Sequence, residues 1–374
     1  MTPTHWISDR AKSLQVSGIR KVFDLGRSLK DPVNLSIGQP HFDVPEPIRA
    51  AAKAAIDDRQ NGYTVTQGIA PLRERLIADV QARLPHPERE VLVTSGTSGG
   101  LLLAMLAVVN PGDEVIAADP YFVAYPNLVA IAGGKLVTVD THPDFRLDPD
   151  KVRAAITNRT KVILLCSPSN PTGAVIDPEA MQAIAALARK HGILLVSDEI
   201  YRAFHFDGPP RSPAEFNEDV LVIEGFGKTY GVTGWRLGFA HGPRAVIEEM
   251  TKLQQFTFVC APAPFQQAVV AAMDFDVSAI VADYKHKRDL LVEGLRERFE
   301  FARPGGAFYL YPKSPWGTGT EFVTAAIREN LLMIPGVTFS TRDTHFRISY
   351  AASDETLRRG IAILNRLATS RAYG

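Results

Sequence analysis

Between about residue 70 and residue 275 the chain alternates two hydrophobic rhythms. Leu72, Leu76, Val80 and Leu84 recur every fourth position behind Pro71, the pattern of a helix with proline in its first turn. Short apolar, often β-branched runs follow at 91–94, 115–117, 136–137, 162–165, 193–196 and 220–223. Helical patterns lie between them, as at 178–191, where Gly192 supplies the stop. Strands alternating with helices predict an α/β fold, a large domain whose mostly parallel sheet is covered by helices on both faces. In such sheets ligands bind beyond the carboxyl ends of the strands, so chemistry is sought just after each run.

The rhythm changes after residue 275. A long charged helix is predicted over 279–299, a strand at 307–311, a helix over 321–332 and a strand at 346–350. A last helix is capped by Ser353, with Leu357, Ile361 and Leu364 on one face. These elements predict a smaller α+β domain. The expected boundaries are 1–44 for an N-terminal arm joined to the small domain, 45–275 for the large domain and 276–374 for the small one.

Composition narrows the function classes. Apolar residues make up 45% of the 374, enough for a sizeable core, and Lys plus Arg equals Asp plus Glu at 41 each. That balance argues against a nucleic-acid or anionic-membrane partner, and no apolar run reaches the length of a membrane span. Two cysteines, Cys166 and Cys260, fit a reducing compartment, and no apolar leader is visible. A cytoplasmic location is expected.

Several constellations fall at the predicted strand ends. Gly96, Thr97 and Ser98 lie between a strand and a helix, where free backbone N–H groups and a positive dipole end suit a phosphate. Asp198, in Ser197-Asp198-Glu199-Ile200-Tyr201, ends a buried run, where a carboxylate needs a partner. Lys228, in Gly225-Phe226-Gly227-Lys228-Thr229, is the residue type that forms an imine with an aldehyde and then shuttles a proton. Arg236, eight positions on, suits a charge-assisted bond to phosphate. Asn170 sits between Pro168 and Pro171, and Arg347 in a late strand could clamp a carboxylate. Taken singly, each is equally an ordinary turn, cap, surface lysine or salt bridge. In this order, each at a strand end, they form one consistent site.

With these residues in place the chain resembles the class I/II aminotransferases, fold-type I enzymes that use pyridoxal 5'-phosphate (PLP). The resemblance runs from Leu35-Ser36-Ile37-Gly38-Gln39-Pro40 to the strand of Arg347. It is sharpest at Ser169-Asn170-Pro171-Thr172-Gly173, at 198–201 and at 227–238. It implies transamination between an L-amino acid and a 2-oxo acid in a ping-pong cycle, with Lys228 as Schiff-base lysine and proton-transfer base. It implies Asp198 as partner of the pyridine nitrogen, and Asn170 and Tyr201 as donors to the phenolic oxygen. The phosphate would rest on Gly96, Thr97, Ser98 and Arg236, with Phe122 stacked on the ring. Gly38, Asn170 and Arg347 would hold the substrate carboxylate. Tyr63 would reach the phosphate from a second subunit, implying a homodimer with shared sites. One departure stands out: Gly225 and Gly227 occupy positions where many relatives carry serine, which places more of the phosphate binding on Thr97, Ser98 and Arg236, or on water.

The same residues do not separate transamination from a PLP-dependent lyase or decarboxylase reaction. A P-loop is excluded, because the first glycine of that motif would fall on Val222 in mid-strand. A non-catalytic PLP sensor fused to a DNA-binding domain finds no room in the chain. Candidates for side-chain selectivity are Ile19, Phe23, Tyr121 and Trp316. No metal site is expected.

Overall fold

The computed structural model describes residues 4–14, 18, 22, 29–84, 86 and 88–370. Its centre is a sheet of seven strands: β2 (Arg89–Thr94), β3 (Glu114–Asp119), β4 (Lys135–Asp140), β5 (Thr160–Cys166), β6 (Leu194–Asp198), β7 (Leu221–Gly225) and β8 (Gly238–Pro243). The spatial order is β2-β8-β7-β6-β5-β3-β4. The pairs β3·β4, β3·β5, β5·β6 and β6·β7 are parallel, and β8 runs antiparallel to both its neighbours. The six predicted runs are β2 to β7, and the mostly parallel reading holds.

Side chains alternate across this sheet with the period of two that a strand imposes. Val91, Val93, Ile163, Leu165 and Val222 face one apolar layer with Leu72, Leu76 and Val80 of the helix Ala70–Arg83. Leu92, Val162, Leu164, Leu221 and Ile223 face the other, against the helices Gly96–Val108 and Arg244–Thr257. Both faces are therefore dry, which is why these strands read as continuous apolar runs. The helix Pro178–His191 ends as expected, with Gly192 in the left-handed region at φ 62°.

β8 escaped the sequence reading. Its Gly238-Phe239-Ala240-His241-Gly242-Pro243 has little β propensity, because space and not propensity selects its glycines. A Cβ on Gly238 would lie 2.8 Å from Gly96 C and from Thr97 N. The strand thus passes against the start of the helix that bounds the site.

A second apolar core gathers Tyr284, Leu291 and Leu295 with Phe308, Phe346, Leu357 and Leu364. Val33 and Leu35 join it, and β1 (Val33–Asn34) pairs in parallel with β10 (Leu331–Leu332). A short sheet of β11 (Ile334–Pro335), β12 (Phe346–Ser349) and β9 (Tyr309–Leu310) completes this part. Two expectations are corrected. The helix expected over 321–332 is Gly319–Arg328 and stops before Asn330, which has φ 61°; Leu331 and Leu332 turn instead to pair with β1. The strand expected at 307–311 is reduced to two residues, since Ala307 takes φ 55°, outside the extended region. The long charged helix, Ser278–Leu295, and the Ser353-capped helix, Asp354–Thr369, stand close to where they were predicted.

The two cores meet around the loop that carries Asn170. Gly173 holds this loop at φ 70°, and its Cβ position would fall 2.6 Å from Pro304 Cβ and 2.7 Å from Tyr309 O. Gly173→Ala therefore combines backbone strain with a backbone clash. It is expected to lower unfolding free energy by about 2 kcal/mol or more, read as an earlier urea midpoint at unchanged slope.

Candidate active site

The helix Gly96–Val108 begins one residue after β2, and no side chain caps its first N–H groups. Those orphan donors and the positive end of the dipole face outward from the sheet. Gly96, at φ 69°, allows Arg236 to come against them: a Cβ there would lie 2.6 Å from Arg236 Nη2. Arg236 leaves the preceding turn in the left-handed conformation, at φ 54°, and donates from Nη1 to Thr233 O at 2.9 Å. Helix end and guanidinium together have the chemistry to cradle a phosphate. At Gly225 the space beyond the α-carbon is filled. A Cβ would sit 2.8 Å from Ile200 Cδ1 and 3.0 Å from Thr97 Cγ2.

Asp198 ends β6 and is 3% exposed. Its Oδ2 accepts from the Tyr125 hydroxyl at 2.8 Å and its Oδ1 from Ile200 N at 3.3 Å. These partners are neutral, and burial raises the carboxyl group to about 6. A cationic N–H is the group that such a carboxylate lacks. Glu199 points into a separate buried network, its Oε1 accepting from Ser197 Oγ at 2.9 Å and Ser212 Oγ at 2.6 Å.

Lys228 lies in the short helix Phe226–Thr229 that follows β7. Its Nζ donates to Gly38 O. Burial, then the charges of Arg347 and Arg236, lowers this amine to about 8. An amine so placed is partly free base near neutrality, the form that attacks an aldehyde.

Arg347, in β12, is 1% exposed. Nη1 donates to Asn170 Oδ1 at 2.9 Å and Nη2 to Ser36 O at 2.8 Å, while Nε is buried without a partner. Tyr309 and Phe339 flank the guanidinium, their ring centroids 4.5 and 4.7 Å from Cζ. Burial pushes the group below its ordinary value, with nearby tyrosine hydroxyls as the counterweight. Among the described residues no carboxylate pairs with it. A guanidinium buried in this way can receive an incoming carboxylate. Because a guanidinium only donates, Asn170 must turn its oxygen to Arg347, leaving its NH2 to donate.

These groups share one cavity of about 240 Å3. Gly38, Gly96, Thr97, Ser98, Phe122, Asn170, Asp198, Tyr201, Lys228, Arg236 and Arg347 all line it. The donor set fits PLP group by group: an anion cradle, a carboxylate for a protonated ring nitrogen, an amine for an aldehyde and a flat ring at Phe122. Tyr63 is not part of the cavity wall; it stands 89% exposed. Of the selectivity candidates, Tyr121 lines an adjoining small cavity, and its backbone N donates to Phe339 O at 2.8 Å. Trp316 is a packing residue, against Phe322 at 5.1 Å with Nε1 on Leu367 O at 3.0 Å. Ile19 and Phe23 lie outside the described residues.

Three residues at or behind the site had no role read from the sequence. Tyr125, on the helix Ala124–Ile131, follows Phe122 by three positions, a helical spacing that could have signalled it. Tyr309 lay inside a strand reading with no role attached. Cys166, at the end of β5, is a half-buried thiol on the cavity wall, pushed up to about 12, mainly by desolvation.

Fold and cavity define a fold-type I PLP enzyme. The model of the family "Aminotransferase class I and II" matches residues 30–364, and the chain belongs to that family. It is a PLP-dependent aminotransferase. It is 36% identical to a probable aspartate aminotransferase of Methanocaldococcus jannaschii, over 96% of this chain and 99% of that one. It is 38% identical to the aspartate/prephenate aminotransferase of Thermus thermophilus, over 91% and 92%. A solved structure of Thermus thermophilus aspartate aminotransferase with maleate superposes at TM-score 0.92 with 34% identity, covering 96% of this chain and 99% of that one.

The lowered amine gives a direct test on the cofactor-free protein. Acylation of Lys228, followed by peptide mass spectrometry, should titrate with a midpoint near pH 8. Arg347→Gln removes a like charge that disfavours the ammonium form, so it should move the midpoint upward.

Proposed function

We propose that the chain moves an amino group reversibly between an L-amino acid and a 2-oxo acid in a ping-pong cycle, with Lys228 holding the cofactor and carrying the proton. One observation carries the reading. A half-buried amine, a buried carboxylate with neutral partners and a buried guanidinium without a carboxylate face the same cavity. When bound, PLP supplies an aldehyde that exchanges amines and a ring that draws electrons from the reacting carbon.

The protein's part follows from its own groups. Arg347 binds the substrate's α-carboxylate and thereby fixes the α-carbon. Lys228 Nζ accepts the α-proton and returns it to a neighbouring carbon. Asp198, held by Tyr125, would keep the ring nitrogen protonated. Tyr201 and the Asn170 NH2 would donate to the phenolic oxygen, and Arg236 with the start of the helix Gly96–Val108 would hold the phosphate. Leu101, Ile200 and Leu237 exclude water from the wall.

The same proposal divides the chain at 1–44, 45–275 and 276–374, with Gly38, Tyr309 and Arg347 brought to the large domain from outside it. It also takes the enzyme to be a homodimer. Tyr63, Val65, Phe256 and Val259 form exposed apolar surface on two segments joined by Gln254 Nε2 to Thr66 O at 2.7 Å. A second copy would cover that surface and receive Tyr63 at its phosphate cradle. Its two free cysteines favour a cytoplasmic setting.

Mixing the PLP-loaded protein with L-aspartate or an aromatic L-amino acid is expected to yield pyridoxamine phosphate and the matching 2-oxo acid, without ammonia. Release of ammonia and pyruvate in the absence of an acceptor would establish the lyase alternative instead. Arg347→Gln should raise KM for donor and acceptor by about 10- to 100-fold, the loss of a charged hydrogen-bonded contact. Sedimentation of the wild type should give twice the 40.9 kDa chain mass, and Phe256→Glu should lower it toward the monomer.

A further inference from the structure

Tyr309 lines the cavity and has no part in the roles above. It is 1% exposed and comes from β9, beside the strand of Arg347. Three contacts converge on it. Its hydroxyl is 2.8 Å from the Tyr201 hydroxyl. Its ring lies on the Arg347 guanidinium at 4.5 Å. The hydroxyl also fills the space that a Cβ on Gly38 would need, and Gly38 O is the acceptor of Lys228 Nζ.

We propose that Tyr309 is a positioning residue that ties the carboxylate clamp to the phenol donor: its ring holds Arg347 and its hydroxyl donates to Tyr201, turning the single Tyr201 proton into the cavity. The inference rests on the functional reading above and deepens it.

Proton counting supports the direction. A tyrosine hydroxyl has one hydrogen and accepts through its oxygen. Two hydroxyls at 2.8 Å make one hydrogen bond, so one of the two spends its proton on the other. Were Tyr201 to donate to Tyr309, it would have none left for a ligand oxygen. With Tyr309 as donor, Tyr201 accepts and donates in a chain, and each bond polarises the next. The Arg347 charge lowers both phenols against the burial that raises them and does not itself choose the donor; the choice rests on the proton count. A flat guanidinium held between Tyr309 and Phe339 also keeps its edge aimed at the substrate.

Two variants separate hydroxyl from ring. Tyr309→Phe keeps the stack and removes the donor. In the PLP-loaded protein it should raise the midpoint of the cofactor's visible pH titration by about half a unit, the scale of one neutral hydrogen bond. Turnover number should fall a few-fold while KM holds within about twofold. Tyr309→Leu also removes the stack, and KM for both amino and oxo acid should rise about three- to tenfold. The decisive arm uses Tyr201→Phe as background, where Tyr309→Phe should shift the midpoint no further.

A shift of equal size in that background, or a wild-type-like midpoint in Tyr309→Phe, overturns the proposal and leaves the aminotransferase reading intact. A wild-type protein without any titrating cofactor band overturns both. Thermal melts of each variant read folding separately, and the spectral midpoint is taken on the folded holoenzyme.

Discussion

Burying a charge without an ion-pair partner costs several kcal/mol, and among the described residues this fold does so twice in one cavity. Arg347 is enclosed by two aromatic rings, an amide oxygen and a backbone carbonyl. Asp198 is enclosed by a tyrosine hydroxyl and a backbone N–H. Both charges face Lys228, whose amine they push in opposite directions. The remainder of the architecture holds these three groups in fixed places while leaving open the space between them.

The sheet does this by geometry. Six of its strands run the same way, so the residues following β2, β3, β5, β6 and β7 emerge along one rim. β8, running oppositely, begins at that rim, and Arg236 just before it reaches the helix start at Gly96. Arg347 and Gly38 arrive from the second core, by way of β12 and the segment after β1. The loop between Asn170 and Gly173 is where the halves touch, which is why one added methyl there would be felt in both.

Most of this was legible in the sequence for a physical reason. Buried parallel strands must be apolar on both faces, so β2 to β7 stood out, and their ends pointed to Asp198, Lys228 and Asn170 before any coordinates. What escaped were features set by tertiary space. β8 is built from glycines that admit close backbones, and its sequence carries no strand signal. Leu331 and Leu332 continue an apolar helical pattern but pair with β1 once Asn330 breaks the helix. Tyr125 and Tyr309 look like core aromatics until their hydroxyls are seen on Asp198 and Tyr201. A residue that acts by positioning another leaves little trace in local pattern.

The central claim is that a covalent bond forms between PLP and one amine, that of Lys228. Borohydride reduction of the PLP-saturated protein, followed by peptide mass spectrometry, tests it most directly. The account requires a single phosphopyridoxyl group on Lys228; an unmodified Lys228, or a label spread over surface lysines, would contradict it.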